Sequence, residues 1–295
     1  MYPYPVLFGT MGIYDILLVV GIVTCMLAAD RMGIMRKFSI KLQKVLIIAF
    51  VAAISFGLFG AVFFQAIYKA IETGKFVLNK TTGMTFYGGL IFGVGAFVAV
   101  WFGLGALWCK DGEAKKQFGA IADIAACLIP FAHGLGRIGC LTAGCCHGGL
   151  TDKWYGVTHH HVVVDGVYYE TAKVVPVQLF EALFLLALSA ALCWLFFVKF
   201  GKENKGRFPL LPTYAIVYGI WRFLIEFARS DERGQTIISA LSPSQLIAIL
   251  MVAAGVAYLC IWHFTRKKSA CFNAVENIEK SEETRDGENG SDEAV

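Results

Sequence analysis

Seven long apolar stretches constrain what this chain can fold into. A helix needs about 20 apolar residues to cross the hydrocarbon core of a bilayer. Lipid offers no partner to an unpaired backbone group, so a spanning segment of this kind must be helical. The stretches lie near residues 11–29, 45–71, 86–108, 118–136, 176–198, 209–228 and 243–264. We therefore predict an all-α, polytopic membrane protein with about seven transmembrane helices.

The basic residues of the loops predict the orientation of these helices. Lys and Arg concentrate in the loops 30–44, 109–117 and 199–208 and directly after the last apolar stretch, and the alternate loops hold fewer. Loops rich in Lys and Arg stay in the cytoplasm. The N-terminus is then outside and the C-terminus is cytoplasmic. The net charge of +4 comes from these loops, where anionic membrane lipid is the natural partner, and nothing indicates nucleic acid.

Two segments outside the apolar stretches carry their own signals. Asp165 and Gly166 separate two runs of β-branched and aromatic residues, which is the pattern of a β-hairpin with a tight turn. We expect a small hairpin at the outer face. From about residue 269 the chain is polar and acidic, so it lacks the apolar surface to fold. We predict a membrane domain over 1–268 and a disordered cytoplasmic tail over 269–295.

Arg222 stands in one of the apolar stretches, and Glu226 and Arg229 follow it. A charged side chain at membrane depth costs roughly 2.5–3.5 kcal/mol on insertion scales, so it is usually paired and functional. Tyr218 and these three residues are spaced by four, four and three, which places them on one stripe of a helix. One interpretation is a structural ion pair. The other is a site for an anion, since two arginines would share one glutamate and guanidinium groups bind phosphate in a fork.

Arg137 is the second arginine in an apolar stretch. Glycines at 134, 136 and 139 surround it and are unfavourable in a rigid helix. Irregular backbone at membrane depth is tolerated inside protein or beside water. A broken helix that holds Arg137 would form a phosphate cradle. The alternative is that the glycines allow tight helix packing, with Arg137 near the outer interface.

Cysteines follow Arg137 in the pattern Cys140, Cys145, Cys146, His147. Small soft residues in a tight turn are one interpretation. A redox pair of Cys140 with one of the other two is the second, since adjacent cysteines rarely bridge each other. Metal binding by the cysteines with His147 or His133 is the third, although the spacing matches no standard zinc motif. A catalytic thiol is the fourth. Our leading prediction is that these residues bind no metal. The histidine run 159–161 is a weaker candidate of the same kind.

Four segments of the chain resemble one known family. They are Thr85–Ile91 (TFYGGLI), Asp123 with Leu128–Gly139, Pro176–Glu181 (PVQLFE) and Tyr218–Arg229 (YGIWRFLIEFAR). Their content and order are similar to those of the prolipoprotein diacylglyceryl transferases of bacterial cytoplasmic (inner) membranes, over roughly residues 5–265. Seven helices with the N-terminus outside also fit that family.

The resemblance implies a function. The family transfers a diacylglyceryl group from phosphatidylglycerol to the lipobox cysteine thiol of a prolipoprotein signal peptide, releases glycerol 1-phosphate and needs no cofactor. Arg137 and Arg222 match the family's essential arginines, which would hold the lipid phosphate, and Glu226 and Arg229 match the supporting pair. Tyr14 matches the first-helix tyrosine, and the glycines that flank Arg137, Gly136 and Gly139, belong to the same substrate-binding set.

The sequence departs from the family at two places. Tyr87 stands where the family usually has a histidine that is proposed to help take the thiol proton, and tyrosine, with a pKa near 10, is a weaker base at neutral pH. The run from Cys140 to Cys146 replaces an asparagine and an acid of the usual motif. Candidates for the base are Tyr87, His133 and substrate-side water. The alternatives are a divergent enzyme with another acceptor or thiol-based chemistry, a non-catalytic protein that binds anionic lipid or lipoprotein, and a small transporter.

Overall fold

A computed structural model describes residues 6–8, 11–78, 82–164, 166–199, 208–229 and 241–289, with the backbone alone beyond residue 266. The helices are α1 Ile13–Met35, α2 Ile40–Thr73, α3 Phe86–Trp108, α4 Glu113–Lys116, α5 Phe118–Thr142, α6 Val177–Trp194, α7 Leu210–Ile225 and α8 Pro243–Asn289. The strands are β1 Val6–Phe8, β2 Met11–Gly12, β3 Val157–Val164 and β4 Val167–Val174. A π-helical turn extends α6, and a 3-10 turn over Glu226–Ala228 follows α7.

Seven of these helices are long and apolar enough to span a membrane. They are all the helices except α4, and they confirm the predicted seven-helix membrane fold within the described residues. Only 11% of the most apolar part of α3 and of α8 is buried, as expected for helices that face lipid rather than a protein core. The protein is therefore a multi-pass membrane protein, and the orientation of its termini stays a prediction.

The chain divides into two compact units. The first holds residues 1–211 and 227–232, and the second holds residues 212–226 and 233–295. In the first unit α2 packs on α3, and α5 packs on both α1 and α6. In the second unit α7 packs on α8 through Gly219 and Gly255. A Cβ atom at Gly255 would lie 2.9 Å from the Pro212 carbonyl oxygen, so the two helix backbones are close together.

Small residues also bring α2 against α3. A Cβ atom at Gly60 would lie 2.7 Å from the carbonyl oxygen of Gly88 and 2.5 Å from Cβ of Phe92. Such close approach is how small residues stabilise helix pairs in lipid, where burial from water supplies no driving force. The packing fixes the start of α3, where Tyr87 lies.

The α5 helix is continuous, so the predicted break near Arg137 is wrong. Hydrogen-bonded helix runs from Phe118 through Thr142. Two of its glycines fit close neighbours instead: a Cβ atom would lie 3.0 Å from Leu186 at Gly134 and 2.7 Å from the Tyr14 ring at Gly139. The alternative interpretation, tight packing, therefore describes these two positions. An unbroken helix also keeps its backbone groups hydrogen-bonded, which lipid requires.

The predicted hairpin is present and longer than the sequence signal. Strands β3 and β4 pair antiparallel from Val157↔Val174 to Val164↔Val167. Gly166 adopts a left-handed φ of 78° at the turn, and its neighbour Asp165 lies outside the described residues. A small apolar core of Val162, Val164, Ala172 and Val174 holds the two strands together. Its placement at the outer face of the membrane stays a prediction.

The base of the hairpin extends to the segment that follows α5. Thr151 N–H donates to the Lys173 carbonyl at 3.0 Å, Val175 N–H donates to Gly149 at 3.0 Å, and Gly148 N–H donates to Val175 at 2.9 Å. The hairpin is thus tied by backbone bonds to the turn that carries the cysteines.

Two other features differ from the sequence predictions. A short antiparallel pair, β1 with β2, precedes α1, and no sequence signal indicated it. The backbone of α8 continues as helix to Asn289, through most of the segment that we expected to be disordered. The boundary at residue 268 and the disorder of the tail stay predictions.

Candidate charged site and thiol cluster

Glu181 is the centre of a buried charged cluster in the first unit. Its Oε2 lies 3.0 Å from Arg137 Nε and 3.8 Å from Arg229 Nη1. Its side chain is 0% exposed, and those of Arg137 and Arg229 are 14% and 2% exposed. His133, one turn before Arg137 on α5, accepts a hydrogen bond from Arg137 Nε at 3.3 Å. We call Arg137, Glu181, Arg229 and His133 the Glu181 cluster.

Two guanidinium groups contact the one carboxylate of this cluster. Ions removed from water must be compensated by close partners. Guanidinium groups suit phosphate because their N–H groups match its oxygen atoms.

The cluster is positioned by the packing of helices and one backbone bridge. Gly139 brings α5 against Tyr14 at the start of α1, and Gly134 brings it against Leu186 of α6, so Arg137 faces the start of α6 where Glu181 lies. Arg229 pairs by its backbone with Gly148, in the segment that follows α5. Each charged residue is therefore fixed by a different element.

Arg222 belongs to the second unit and has its own carboxylate. Its Nη2 lies 2.7 Å from Glu226 Oε2, and Ser242 Oγ donates to Glu226 Oε1 at 2.7 Å. The predicted i, i+4 pair is thus present. Arg222 Nη1 is buried and has no hydrogen-bond partner among the described residues. A buried donor without a partner costs free energy, and a bound anion would satisfy it.

The stripe of polar residues that we predicted on one face of α7 does not reach its last member. The predicted members are Tyr218, Arg222, Glu226 and Arg229. The α7 helix stops at Ile225 and tightens to a 3-10 turn over Glu226–Ala228, so Arg229 leaves the helical register. Its described ion pair is with Glu181. The prediction that Arg229 continues the α7 stripe is therefore wrong, because it assumed an unbroken helix.

The remaining predicted site residues lie in the first unit. The Tyr14 ring packs against Gly139. Among the described residues, none places a heavy atom within 4 Å of a Cβ atom at Gly136, so they leave open space beside this glycine. Tyr87 is the second residue of α3, half-buried, with its ring edge-to-face against Phe86 at 5.8 Å. Its hydroxyl group makes no hydrogen bond to the described residues. Asp123 accepts a hydrogen bond from Leu210 N–H at 3.0 Å.

Three of the four cysteine-motif residues come together. The sulphur atoms of Cys140, Cys145 and Cys146 lie within 4.8 Å of one another, and all three residues are half-buried. We call them the thiol cluster. His147, the fourth candidate, is buried with Nδ1 3.0 Å from the Gly148 carbonyl oxygen and does not join the group. Gln178 Nε2 donates to the Cys145 carbonyl at 2.9 Å and holds the turn against α6.

The neighbours of Cys146 favour its thiolate form. Hydrogen bonds from the Cys140 and Cys145 thiols lower the pKa of the Cys146 thiol, and the positive charges of Arg229 and Arg137 act in the same direction. Hydrogen bonds with Cys140 and Cys146 raise the pKa of Cys145. The thiol cluster thus shares the electrostatic environment of the Glu181 cluster.

Sequence reasoning missed the two polar residues at the start of α6. Glu181 and Gln178 are both 0% exposed, yet the sequence indicated them only as part of the family resemblance. The rule that singled out Arg137 and Arg222 applies to Glu181 as well, since an ionised side chain in an apolar stretch needs a partner. A search for carboxylates in apolar stretches would have found Glu181.

Seven apolar helices and buried arginine–carboxylate pairs in each unit define a multi-pass membrane protein that carries charged residues within its apolar segments. A sequence profile of the prolipoprotein diacylglyceryl transferases matches residues 5–261. The chain therefore belongs to the prolipoprotein diacylglyceryl transferase family, and with it to the membrane transferases.

Three relatives illustrate the similarity. The phosphatidylglycerol–prolipoprotein diacylglyceryl transferase 2 of Clostridium perfringens is 33% identical over 174 residues, which cover 59% of this chain and 60% of that protein. The phosphatidylglycerol–prolipoprotein diacylglyceryl transferase of Clostridium tetani is 27% identical over 89% of this chain and 99% of its own length. The enzyme of that name from Actinobacillus pleuropneumoniae is 30% identical over 72% of this chain and 73% of its own length.

Proposed function

We propose that this protein transfers the diacylglyceryl group of phosphatidylglycerol to the lipobox cysteine thiol of prolipoproteins and releases glycerol 1-phosphate. The names of the relatives supply the two substrates. The observation that carries the proposal is the pair of guanidinium groups, those of Arg137 and Arg229, that contact the buried Glu181 carboxylate. The protein would act in the bacterial cytoplasmic (inner) membrane, where both substrates reside.

The reaction displaces a phosphate monoester. The acceptor thiolate attacks C3 of the glyceryl group, the C3–O bond breaks, and the leaving oxygen takes the electron pair. Arg137 and Arg222 would bind the lipid phosphate, and fixed cations stabilise negative charge that develops in the transition state. Glu181 holds Arg137 through Nε, and Glu226 holds Arg222 through Nη2. Because each guanidinium is fixed before substrate arrives, little reorganisation is needed.

The other site residues would support this step. Glu226 and Arg229 would orient the arginines and complete the charge around the phosphate. Tyr14, Gly136 and Gly139 would line the path of the lipid, and the open space beside Gly136 agrees with contact to substrate there. Tyr87 would act as the catalytic residue in place of the family's usual histidine. His133, hydrogen-bonded to Arg137, is the second candidate to receive the thiol proton.

A turnover assay tests the proposal. Purified protein in detergent would receive phosphatidylglycerol and a lipobox peptide, with glycerol phosphate release as the readout. We expect Arg137→Ala and Arg222→Ala each to lower kcat by roughly 100-fold or more, since loss of one transition-state donor has an effect of that size. Arg31→Ala is the matched control, because Arg31 is exposed on α1, and it should leave kcat unchanged.

The outcomes separate the alternatives. Release that persists in Arg137→Ala would contradict the role given to the Glu181 cluster. Lipid binding without release in the wild-type protein would favour a non-catalytic lipid-binding protein. Release with a thiol acceptor other than the lipobox peptide would indicate a divergent transferase.

A further inference from the structure

We propose that Cys140, Cys145 and Cys146 form a three-thiolate binding site for a soft metal ion of the Zn²⁺ type. Their sulphur atoms already lie within 4.8 Å of one another. A tetrahedral Zn²⁺ with bonds of about 2.3 Å would hold its sulphur ligands ~3.8 Å apart. The ion therefore fits with small shifts of the side chains. Thiolate sulphur is also the ligand type that selects such ions over Mg²⁺ or Ca²⁺.

The backbone conformation of the turn after α5 brings these three side chains together. Neighbouring side chains in regular extended structure point to opposite faces, but Cys146 has a left-handed φ of 63°, and Gly144 has a φ of 67°. A non-glycine residue keeps such a conformation where its surroundings hold it. Here Cys145 N–H donates to the Cys140 carbonyl at 3.1 Å, and Gln178 donates to the Cys145 carbonyl. The fold thus holds the three thiols together.

The same geometry fits a disulfide less well. Consecutive Cα atoms are 3.80 Å apart across a trans peptide bond, which is shorter than the usual separation in disulfides, so Cys145 and Cys146 form a poor pair. A bond from Cys140 to either of them would leave a third thiol in the same cluster. A metal ion uses all three sulphur atoms.

Positive charge lies near the thiol cluster. Binding converts three thiols and Zn²⁺ to a complex of net charge −1 and releases three protons to solvent. Arg137 lies one helical turn before Cys140 on α5. Its guanidinium group would stabilise the anionic complex.

The fourth position of the ion would be open. Among the described residues, no further Cys, His, Asp or Glu joins the group. Zinc sites with three protein ligands place water or an incoming ligand at the fourth position. The bound ion would tie the end of α5 to the turn that pairs, through Gly148, with Arg229.

Metal analysis of the full-length chain tests the site. The purified protein would be stripped with a chelator, supplied with Zn²⁺ and dialysed, and its zinc content measured. We expect one Zn²⁺ per wild-type chain. We expect Cys140→Ser, Cys145→Ser and Cys146→Ser each to weaken zinc binding at least about tenfold, since even the loss of a group that only orients a metal ligand has that effect. Cys260→Ser is the matched control, because Cys260 is exposed on α8, and it should retain the metal.

A second measurement uses the wild-type chain alone, so it does not depend on the folding of variants. Zn²⁺ should protect Cys140, Cys145 and Cys146 from alkylation by a maleimide, as read by peptide mass spectrometry, and should leave Cys260 reactive. A wild-type chain that binds no zinc, or an unreduced chain with a disulfide between two of the three, would overturn the proposal. Neither measurement contains lipid or peptide substrate, so its result is independent of the proposed transferase activity.

Discussion

Glu181 organises the charged residues of the first unit through direct contacts. It is fully buried, and its carboxylate is within 4.0 Å of nitrogen atoms on His133, Arg137 and Arg229. Removing one partner of a buried ion pair is more destabilising than replacing the whole pair, because an uncompensated charge stays behind. The carboxylate is therefore as important for the site as the arginines.

We predict that Glu181→Gln lowers the thermal stability of the protein in detergent. The substitution keeps the shape of the side chain but leaves two guanidinium groups without their shared anion. Removing one partner of a buried ion pair lowers the free energy of unfolding by about 3–5 kcal/mol. The melting temperature should fall by several degrees, measured by scanning fluorimetry. Glu170→Gln, on the exposed part of β4, is the control. Addition of Arg229→Gln should restore part of the loss, and a double variant no better than the single one would contradict the charge argument.

Two neighbouring glycines should respond differently to alanine. Gly139→Ala places a Cβ atom 2.7 Å from the Tyr14 ring, so α1 must shift and both stability and turnover should fall. Gly136→Ala meets open space and should raise helix stability by up to about 1 kcal/mol. If the lipid passes Gly136, this variant should raise the KM for phosphatidylglycerol without lowering the melting temperature. Unchanged KM would remove Gly136 from the substrate path.

The hairpin is the element that fixes the turn after α5. Lys173 of its second strand and Val175, which follows that strand, bond to residues 148–151 through their backbone groups. Gly148 in turn pairs with Arg229. An element outside the spanning helices thus positions an arginine of the buried cluster.

We predict that Val175→Pro loosens this connection. Proline has no N–H, so the bond from Val175 to the Gly149 carbonyl is lost. Amide hydrogen exchange over residues 148–151 should become faster, and turnover should fall with it. Val167→Pro at the exposed tip of the hairpin is the control and should leave exchange in 148–151 unchanged. Equal exchange in the two variants would show that the hairpin does not hold the turn.

Because the number of spanning helices, seven, is odd, we predict that the two ends of the membrane domain lie on opposite sides of the bilayer. The Lys and Arg bias predicts that loop 109–117 is cytoplasmic and that the hairpin is outside. An alkaline phosphatase fusion, which is active only outside the cytoplasm, should be active when inserted after Gly166 and inactive when inserted after Gly112. The reverse pattern would contradict the predicted orientation.

The sequence by itself determined the class of protein, the helices and the hairpin. Apolar length and alternation are local patterns, and lipid forces every long apolar stretch to form a helix. It also singled out Arg137, Arg222 and Glu226, because a charge within an apolar stretch is visible without a structure.

Tertiary structure decided which charges meet. Arg137 contacts Glu181 of another helix, Arg229 leaves the α7 register at a 3-10 turn, and three cysteines converge through a left-handed residue. It also decided that α5 stays continuous, since close packing at Gly134 and Gly139 outweighs their weak helix propensity. These outcomes depend on contacts between residues that are far apart in the chain. A periodic sequence pattern does not identify which distant residue a side chain will contact.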